Sequence, residues 1–579
     1  MISVESAIRL NYPRFFEYPP FVSAPVLALL RGLYHEREIN SFLELHQEKG
    51  IPFIDAVLDH LDISYSADQR ELENIPAIGK VIIAANHPMG AMDAFALIRL
   101  VSQMRQNRKV RILANPALMQ IPQLAELLIP VDNITGKVSR ESVRMVEEAL
   151  EREEAVIIFP AGEVSRFRPW GVCDGYWKSG FLKFALRTQA PILPVFIHAR
   201  NSLSFYLASM LYKPLGTMLL AHEIFQAQHL RLKFTIGGLI RERVLQRSDL
   251  PLTRHAKLFR KHLYRLARGA EPIYASEQCI AHPESRQQLK QELKGLERIG
   301  ATNDGKHIYL ADYEQAPALM REIGRLREYT FRKVEEGTGG KRDLDSYDRY
   351  YRHIVLWDDE ALEVVGAYRI GECGSILEKH GEAGLYMSEL CEFDVRFNKR
   401  YLPQAIELGR SFVQPRYWGT RALDYLWHGI GAYLKQHPEV RYMYGPVSLS
   451  HAYPRAAKDA LISFYMLYFG AQDGPLLQAK IPYRLPEASR QEMSELFSGT
   501  DYQDDFKRLR RYLKAFNVAV PTLYKQYSEL CEEGGIQFFD FGIDNDFGEC
   551  VDGYLLADVR AIREERRSRY IDKSEGLPG

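Results

Sequence analysis

Two α/β domains are predicted for this 579-residue chain, and three observations predict them. From Lys80 onward short apolar runs alternate with amphipathic stretches, the mark of strands alternating with helices. The alternation restarts near residue 296, after a polar stretch with few apolar anchors. The length also exceeds one core, because a domain takes ~100–200 residues.

Composition narrows the function classes. Apolar residues make up 46%, which supplies cores and excludes a disordered or collagen-like chain. Lysine plus arginine equals aspartate plus glutamate at 75 each, so no global basic field exists to hold nucleic acid. The six cysteines form no CxxC pair, and a reducing, cytoplasmic setting is expected. The first twenty residues carry acids, arginines and prolines where a secretory signal needs an apolar core. No run of ~18 apolar residues offers a spanning helix. The nearest approach, Ser204–Phe225, is split by Lys213 and Pro214 and reads as two buried segments. Its alternative is an apolar face resting on a membrane surface. Phe21–Tyr34 has Val26, Leu29, Leu30 and Leu33 at helical spacing, with Pro25 placed to start the helix.

Residues 1–75 read as a helical region and 76–270 as the first α/β domain. Its expected strands are Val81–Ala85, Arg111–Ala114, Leu127–Val131, Ala155–Phe159, Ile192–His198 and Leu232–Ile236. Helices are expected at Asp93–Gln106, Ser139–Arg152 and Leu252–Ala267. Residues 271–295 read as a linker, 296–480 as the second domain and 481–579 as a C-terminal extension. In the second domain a helix at Ala316–Glu335 precedes a hairpin of His353–Trp357 and Glu363–Ile370. Strands follow at Met387–Val395 and Arg441–Val447, with helices at Pro403–Val413, Arg421–Gln436 and Pro454–Phe469.

The densest chemical signal is AANHPMGAMDAF, where a strand ends at Asn86 and His87 and a helix begins near Asp93. A carboxylate bonded to one ring nitrogen fixes the histidine tautomer and frees the other nitrogen to take a hydroxyl proton. The bland alternative is a helix cap beside a turn histidine. The second signal, IIFPAGEVSRFRP, carries Gly162, Glu163, Ser165, Arg166 and Arg168 after a buried strand. The third is the proline-flanked strand APILPVFIHARNS.

In this order the three resemble the glycerolipid acyltransferase superfamily over about residues 80–245. Five residues rather than four separate His87 from Asp93, and Ala161 stands where that family has its glutamate, with Glu163 two positions on. Both departures are similar to a haemolysin-related branch. The resemblance implies that His87 is the general base and Asp93 orients it. It implies that Asn86, Gly162, Glu163 and Arg166 bind the acceptor, with no metal and no acyl-enzyme intermediate.

The second domain carries YMSELCEFDVRFNKRYLPQAIELGRSFVQPRYW, then LWHGIGAYLKQHPEVRYMYGPVSLS and LISFYMLYFG. This order resembles a GNAT-type N-acyltransferase, in particular the haemolysin-like amino-acid N-acyltransferases and, more distantly, acyl-homoserine-lactone synthases. Aminolysis of a thioester needs a base for the ammonium and a proton for the thiolate. Glu389, Glu392 and Asp394 are candidate bases, with Glu389 preferred. Tyr465 falls where such proteins place a thiol-protonating tyrosine, or else is a buried aromatic. Arg396, Arg400 and Arg410 suit an acidic acyl carrier protein.

Together the halves resemble bifunctional ornithine lipid synthases: a glycerolipid-acyltransferase-like α/β domain followed by a GNAT-like mixed α/β domain. The resemblance implies a bacterial, peripheral enzyme on the inner membrane face. It would take acyl carrier protein or coenzyme A thioesters as donors and ornithine or another amino acid as acceptor, with no bound cofactor and no nucleic acid. A lysophospholipid acyltransferase with an accessory GNAT-like domain, or a non-enzymatic lipid- or carrier-binding protein, are the other readings.

Overall fold

The computed structural model describes residues 4–5, 15–16, 18–131, 139–211, 213–246 and 249–572. The chain divides into two compact units, Met1–His282 and Pro283–Gly579.

The first unit contains β1 (Ser64–Ala67), β2 (Val81–Ala85), β3 (Val110–Ala114), β4 (Leu128–Pro130), β5 (Ala155–Ile158), β6 (Arg166–Arg168), β7 (Gly171–Cys173), β8 (Ile192–His198) and β9 (Arg231–Ile236). Seven of them form one sheet in the order β1-β9-β8-β2-β5-β3-β4. The β8–β9 pair is antiparallel and the other pairs are parallel. Every residue of β2 is buried. Val81, Ile83 and Ala85 enter one core, and Ile82 and Ala84 enter the other. Burial on both faces explains the unbroken apolar run VIIAA, where a half-exposed strand would alternate.

The N-terminal region departs from the all-helical expectation. Helices occupy Pro20–Leu33, Glu36–Leu45 and Ile51–His60, but Ser64–Ala67 is a strand that extends the sheet edge beside β9. Pro20 starts the first helix and Pro25 lies inside it. The split in Ser204–Phe225 is present as two helices, Leu203–Leu211 and Lys213–Gln226. Among the described residues no helix is long and apolar enough to cross a membrane.

Residues 271–295 divide between the units instead of forming a separate linker. Tyr274 and Cys279 join the cores of the first unit. Leu289 and Leu293, on the helix Arg286–Leu293, pack with Leu319 and Ile323 in the second.

The second unit contains β10 (Glu297–Ala301), β11 (Lys306–Ala311), β12 (Arg352–Asp358), β13 (Glu363–Glu372), β14 (Cys391–Phe393), β15 (Ala405–Val413), β16 (Tyr442–Leu449), β17 (Leu477–Ala479), β18 (Ile536–Asp544) and β19 (Cys550–Asp558). Eight form a sheet in the order β10-β11-β12-β13-β15-β16-β19-β18, and β14 pairs with β17 apart from it. Three expectations are corrected. The segment expected as a helix at Pro403–Val413 is β15, in mid-sheet between β13 and β16. The strand expected at Met387–Val395 is a short helix, Met387–Leu390, followed by three residues of β14. The C-terminal extension is no appendage, because β18 and β19 continue the sheet beyond β16.

Two irregularities open this sheet at β15. Its only parallel pairing, with β16, covers just Ala405–Glu407 against Tyr442–Tyr444, after which the strands part. A side chain at Gly445 would place its Cβ 2.1 Å from the Leu408 carbonyl oxygen, so only glycine fits where they separate. On the other edge β15 bulges against β13: Ala367 faces Phe412 but Arg369 faces Gly409. The extra residue leaves Arg410 with a left-handed φ of 49°.

Candidate active sites

β2 and β5 are parallel neighbours, so the loops leaving their C-terminal ends lie side by side. Ligands of open α/β sheets bind at that edge. The helix Ala91–Met104 follows β2, and Gly90 precedes it with a φ of 104° that a side chain would strain. Asp93, in the first turn, is fully buried. Its Oδ2 accepts the Met89 N–H at 2.8 Å, and its Oδ1 lies 3.3 Å from His87 Nδ1. The His87 ring stacks on Phe159 at 3.9 Å, and its side chain keeps 18% exposure. The ring is therefore braced on one side and open on another, and its 3.3 Å approach to Asp93 is an ion-pair contact, since neither Nδ1 nor Asp93 Oδ1 has a hydrogen-bond partner among the described residues. Burial pushes the His87 pKa down, but the Asp93 and Asp174 carboxylates outweigh it and the net shift is upward.

A second buried carboxylate, absent from the sequence reading, ties the two loops together. Asp174 Oδ1 accepts the Ser165 hydroxyl at 2.5 Å and the His87 N–H at 3.3 Å, and Oδ2 accepts Trp177 Nε1–H at 2.9 Å. The Ser165 N–H donates to the His87 carbonyl at 2.7 Å. Ser165 and Asp174 are thus fixed against the His87 backbone. No motif marked Asp174; its role follows from the β6–β7 hairpin, which folds it back.

Asn86 is buried, and both ends of its amide bond the Ile197 backbone, at 2.7 and 3.0 Å. It anchors the loop to β8. Gly162 takes a φ of 68° in the turn after β5. Arg166 sits 3.7 Å from Glu163, bonds Ser209 on the helix Leu203–Leu211 and lies over the Phe205 ring. Glu163 and Arg166 thus flank the His87 loop.

In the second unit a polar network fills the opening at β15. Glu407, the last residue of β15 paired with β16, is 2% exposed. It accepts Tyr351 Oη–H at 2.7 Å, the Met387 N–H at 2.8 Å and Tyr444 Oη–H at 3.3 Å. Burial raises its pKa despite these donors. Beside it, Arg369 grips Asp345 with two 2.7 Å bonds and lies 5.1 Å from the Tyr351 and Tyr386 rings. Its Nη2 has no hydrogen-bond partner among the described residues although Arg369 is 1% exposed. Arg410 faces Asp343 and Asp345 and covers the same Tyr386 ring at 4.8 Å. Asp348 bonds Arg327 at 2.8 Å; burial pushes its pKa up, but Arg327 and Arg369 hold it well below the carboxylate range. Burial and Arg327 push the neighbouring His353 down to about 3, so that it is neutral.

The expected residues of this unit do not converge. Glu389 is exposed and accepts Tyr347 Oη–H at 2.7 Å. Glu392 is exposed, and Asp394 caps the helix Val395–Arg400 and pairs with Arg396. Tyr465 is fully buried among Phe469, Tyr524 and Phe538, inside a hydrophobic core. Arg396 and Arg400 are surface residues paired with Asp394 and Asp473. Arg410 is interior, where no carrier protein reaches it, because the bulge turns it toward Tyr386. Among the described residues no cluster of metal-ligating side chains occurs.

Comparisons with known proteins agree with this division. An acyltransferase family matches residues 18–270, and an acetyltransferase (GNAT) domain matches residues 326–428. A glycine N(alpha)-acyltransferase of Bacteroides thetaiotaomicron is 34% identical over 50% of this chain and 89% of its own length. A lyso-glycine lipid O-acyltransferase of the same bacterium is 31% identical over 43% of this chain and 92% of its own. An L-ornithine N(alpha)-acyltransferase of Rhodobacter capsulatus is 26% identical over 44% of this chain and 92% of its own. The chain belongs to the family of these acyltransferases and is an acyltransferase with an acyltransferase domain in its first half and a GNAT domain in its second.

Proposed function

We propose that the chain builds an amino-acid lipid in two steps. The second unit joins a 3-hydroxyacyl group from a carrier thioester to the α-amine of an amino acid. The first unit then acylates the 3-hydroxyl. The observation that carries this reading is the pairing. Two separate proteins of one bacterium, named for N-acylation of glycine and for O-acylation of lyso-glycine lipid, each match this single chain over most of their length.

In the N-acylation the acceptor ammonium first loses a proton, for which Glu407 has a raised pKa and a place at the strand opening. The amine attacks the thioester carbonyl, the C–S bond breaks, and the thiolate takes up a proton. Arg369, with its spare Nη2, and Arg410 suit the amino acid's carboxylate. In the O-acylation His87 takes the hydroxyl proton while Asp93 holds the ring, the oxygen attacks the second thioester carbonyl, the C–S bond breaks, and the thiolate takes up the proton from His87. Arg166 suits the carboxylate of the one-chain intermediate. That intermediate binds membranes reversibly. The helix Leu203–Leu211, with Leu203, Leu207, Met210 and Leu211 exposed, supports work at a lipid surface.

Ornithine is our first acceptor. Asp552, opposite Ser448 on the part of β16 that has left β15, is raised to about 7 by burial and the Asp544 carboxylate, and a second ammonium would compensate such a carboxylate. Glycine is the second, favoured by the names of the more similar relatives. Lipid mass spectrometry of a bacterial host without aminolipids, expressing the intact chain, tests both. A two-chain aminolipid supports the reading and its head-group fragment names the amino acid. Acylation of fed lysophosphatidate with no aminolipid would establish the phospholipid alternative instead.

A further inference from the structure

The helix Tyr502–Ala515 belongs to the C-terminal hundred residues, to which the two-step reading assigns no task. One side of it is core: Leu509 and Leu513 are fully buried and belong to the hydrophobic core that also holds Val447 and Leu449 at the far end of β16. The opposite side carries Lys507, Arg510, Arg511 and Lys514, all exposed. Their spacing of three, four and seven residues places them on one stripe, about 10 Å long at 1.5 Å per residue.

The helix's own acids do not neutralise this stripe. Asp501 caps the helix, and Asp504 pairs with Arg508 at 2.8 Å. Asp505 is turned inward, where it accepts Tyr468 Oη–H at 2.6 Å and the amides of Ser498 and Gly499. None of the four cations has an ion pair or a side-chain hydrogen bond among the described residues. Like charges three and four apart destabilise a helix by a few tenths of a kcal/mol per pair, and the helix dipole offsets that only in the last turn. In a chain whose total charge is zero, such a stripe is a local feature.

We propose that this stripe docks an acidic acyl carrier protein, which presents its thioester to the opening between β15 and β16. The proposal rests on the reading of the second unit as a thioester-dependent N-acyltransferase. Position supports it: Tyr453, just after β16, donates its hydroxyl to the Ala519 carbonyl at 2.8 Å, so the segment following the helix is tied to the end of the parted strands. Chemistry favours a protein over a membrane. No large apolar residue of this helix is exposed, whereas a helix lying on lipid needs an apolar face. It also replaces the surface arginines expected from the sequence, since Arg396 and Arg400 are already paired.

The test uses the full chain and a variant with Lys507, Arg510, Arg511 and Lys514 each changed to Glu. N-acylation is measured with a 3-hydroxyacyl group on acyl carrier protein and with the same group on pantetheine alone. The stripe predicts a KM for the protein-bound donor raised about tenfold or more, with pantetheine-donor kinetics unchanged. Equal use of both donors by both proteins overturns it. Loss of binding to phosphatidylglycerol vesicles with carrier kinetics intact overturns it too, and assigns the stripe to an anionic membrane. If the intact chain acylates no amine from either donor, the two-step reading fails. Direct binding of the carrier protein then still decides the docking, because absent or equal binding by both proteins rules it out.

Discussion

The two units place their chemistry at opposite extremes of exposure. In the first, a histidine stands half-open at a strand end, with a buried carboxylate behind it and exposed leucines on a nearby helix. In the second, a glutamate, three arginines and three aspartates are packed inside the sheet opening, and the exposed helical face is basic instead of apolar. The contrast fits the acceptors proposed for each. A lipid hydroxyl arriving from a membrane needs an open base beside an apolar surface. A small, zwitterionic amino acid needs a cavity of fixed charges that binds both of its ends.

If the first unit depends on one dyad, Asp93→Asn should lower O-acylation by about 10²–10⁴-fold and leave N-acylation untouched, as rates of the two half-reactions on supplied substrates would show. If the second unit works from its interior, Glu407→Gln should cost N-acylation about 10²-fold or more, while the exposed Glu389→Gln changes it less than about threefold. The reverse order of these two variants would return the base to the exposed helix Met387–Leu390. Arg166→Ala should raise the KM for the one-chain intermediate about tenfold with kcat less affected, since a charged hydrogen bond contributes about 1.5–3 kcal/mol. An unchanged KM separates Arg166 from the acceptor. The smallest effect is a shift on the pH axis. Asp93 and Asp174 raise the His87 pKa, and the neutral ring is the active form, so activity rises with pH through that pKa. Removing one charge with Asp174→Asn lowers the pKa and should move the acidic limb of the O-acylation profile to lower pH, by about one unit or less.

The same contrast explains what was legible in the sequence. His87 and Asp93 lie in one strand–turn–helix segment, so local spacing alone brings them together. The central strands of the first unit read clearly because burial on both faces leaves continuous apolar runs such as Val81–Ala85, whereas the half-exposed edge strand β1 and the short β6 and β7 carry no such run. The second site is assembled by register. Tyr351, Arg369, Glu407 and Tyr444 come from different segments, and a bulge turns Arg410 to join them. The segment expected as the helix Pro403–Val413 is β15. The period-two signal of Ile406 and Leu408 around Glu407 was the available clue to a strand with a buried carboxylate. The bond from His87 N–H to Asp174, 87 residues away, and the pairing of β19 with β16 are long-range contacts that no local pattern displays.

The central claim is that two separate sites act in sequence on one product, and a mixing assay tests it most directly. Purified His87→Ala and Glu407→Gln chains are each given the amino acid and the acyl thioesters, alone and together, with products read by mass spectrometry. The account predicts that His87→Ala accumulates the one-chain N-acyl amino acid, that Glu407→Gln forms neither lipid, and that the mixture restores the two-chain lipid. A two-chain lipid from either variant alone at the intact chain's rate, or none from a mixture in which the one-chain lipid has formed, would contradict it.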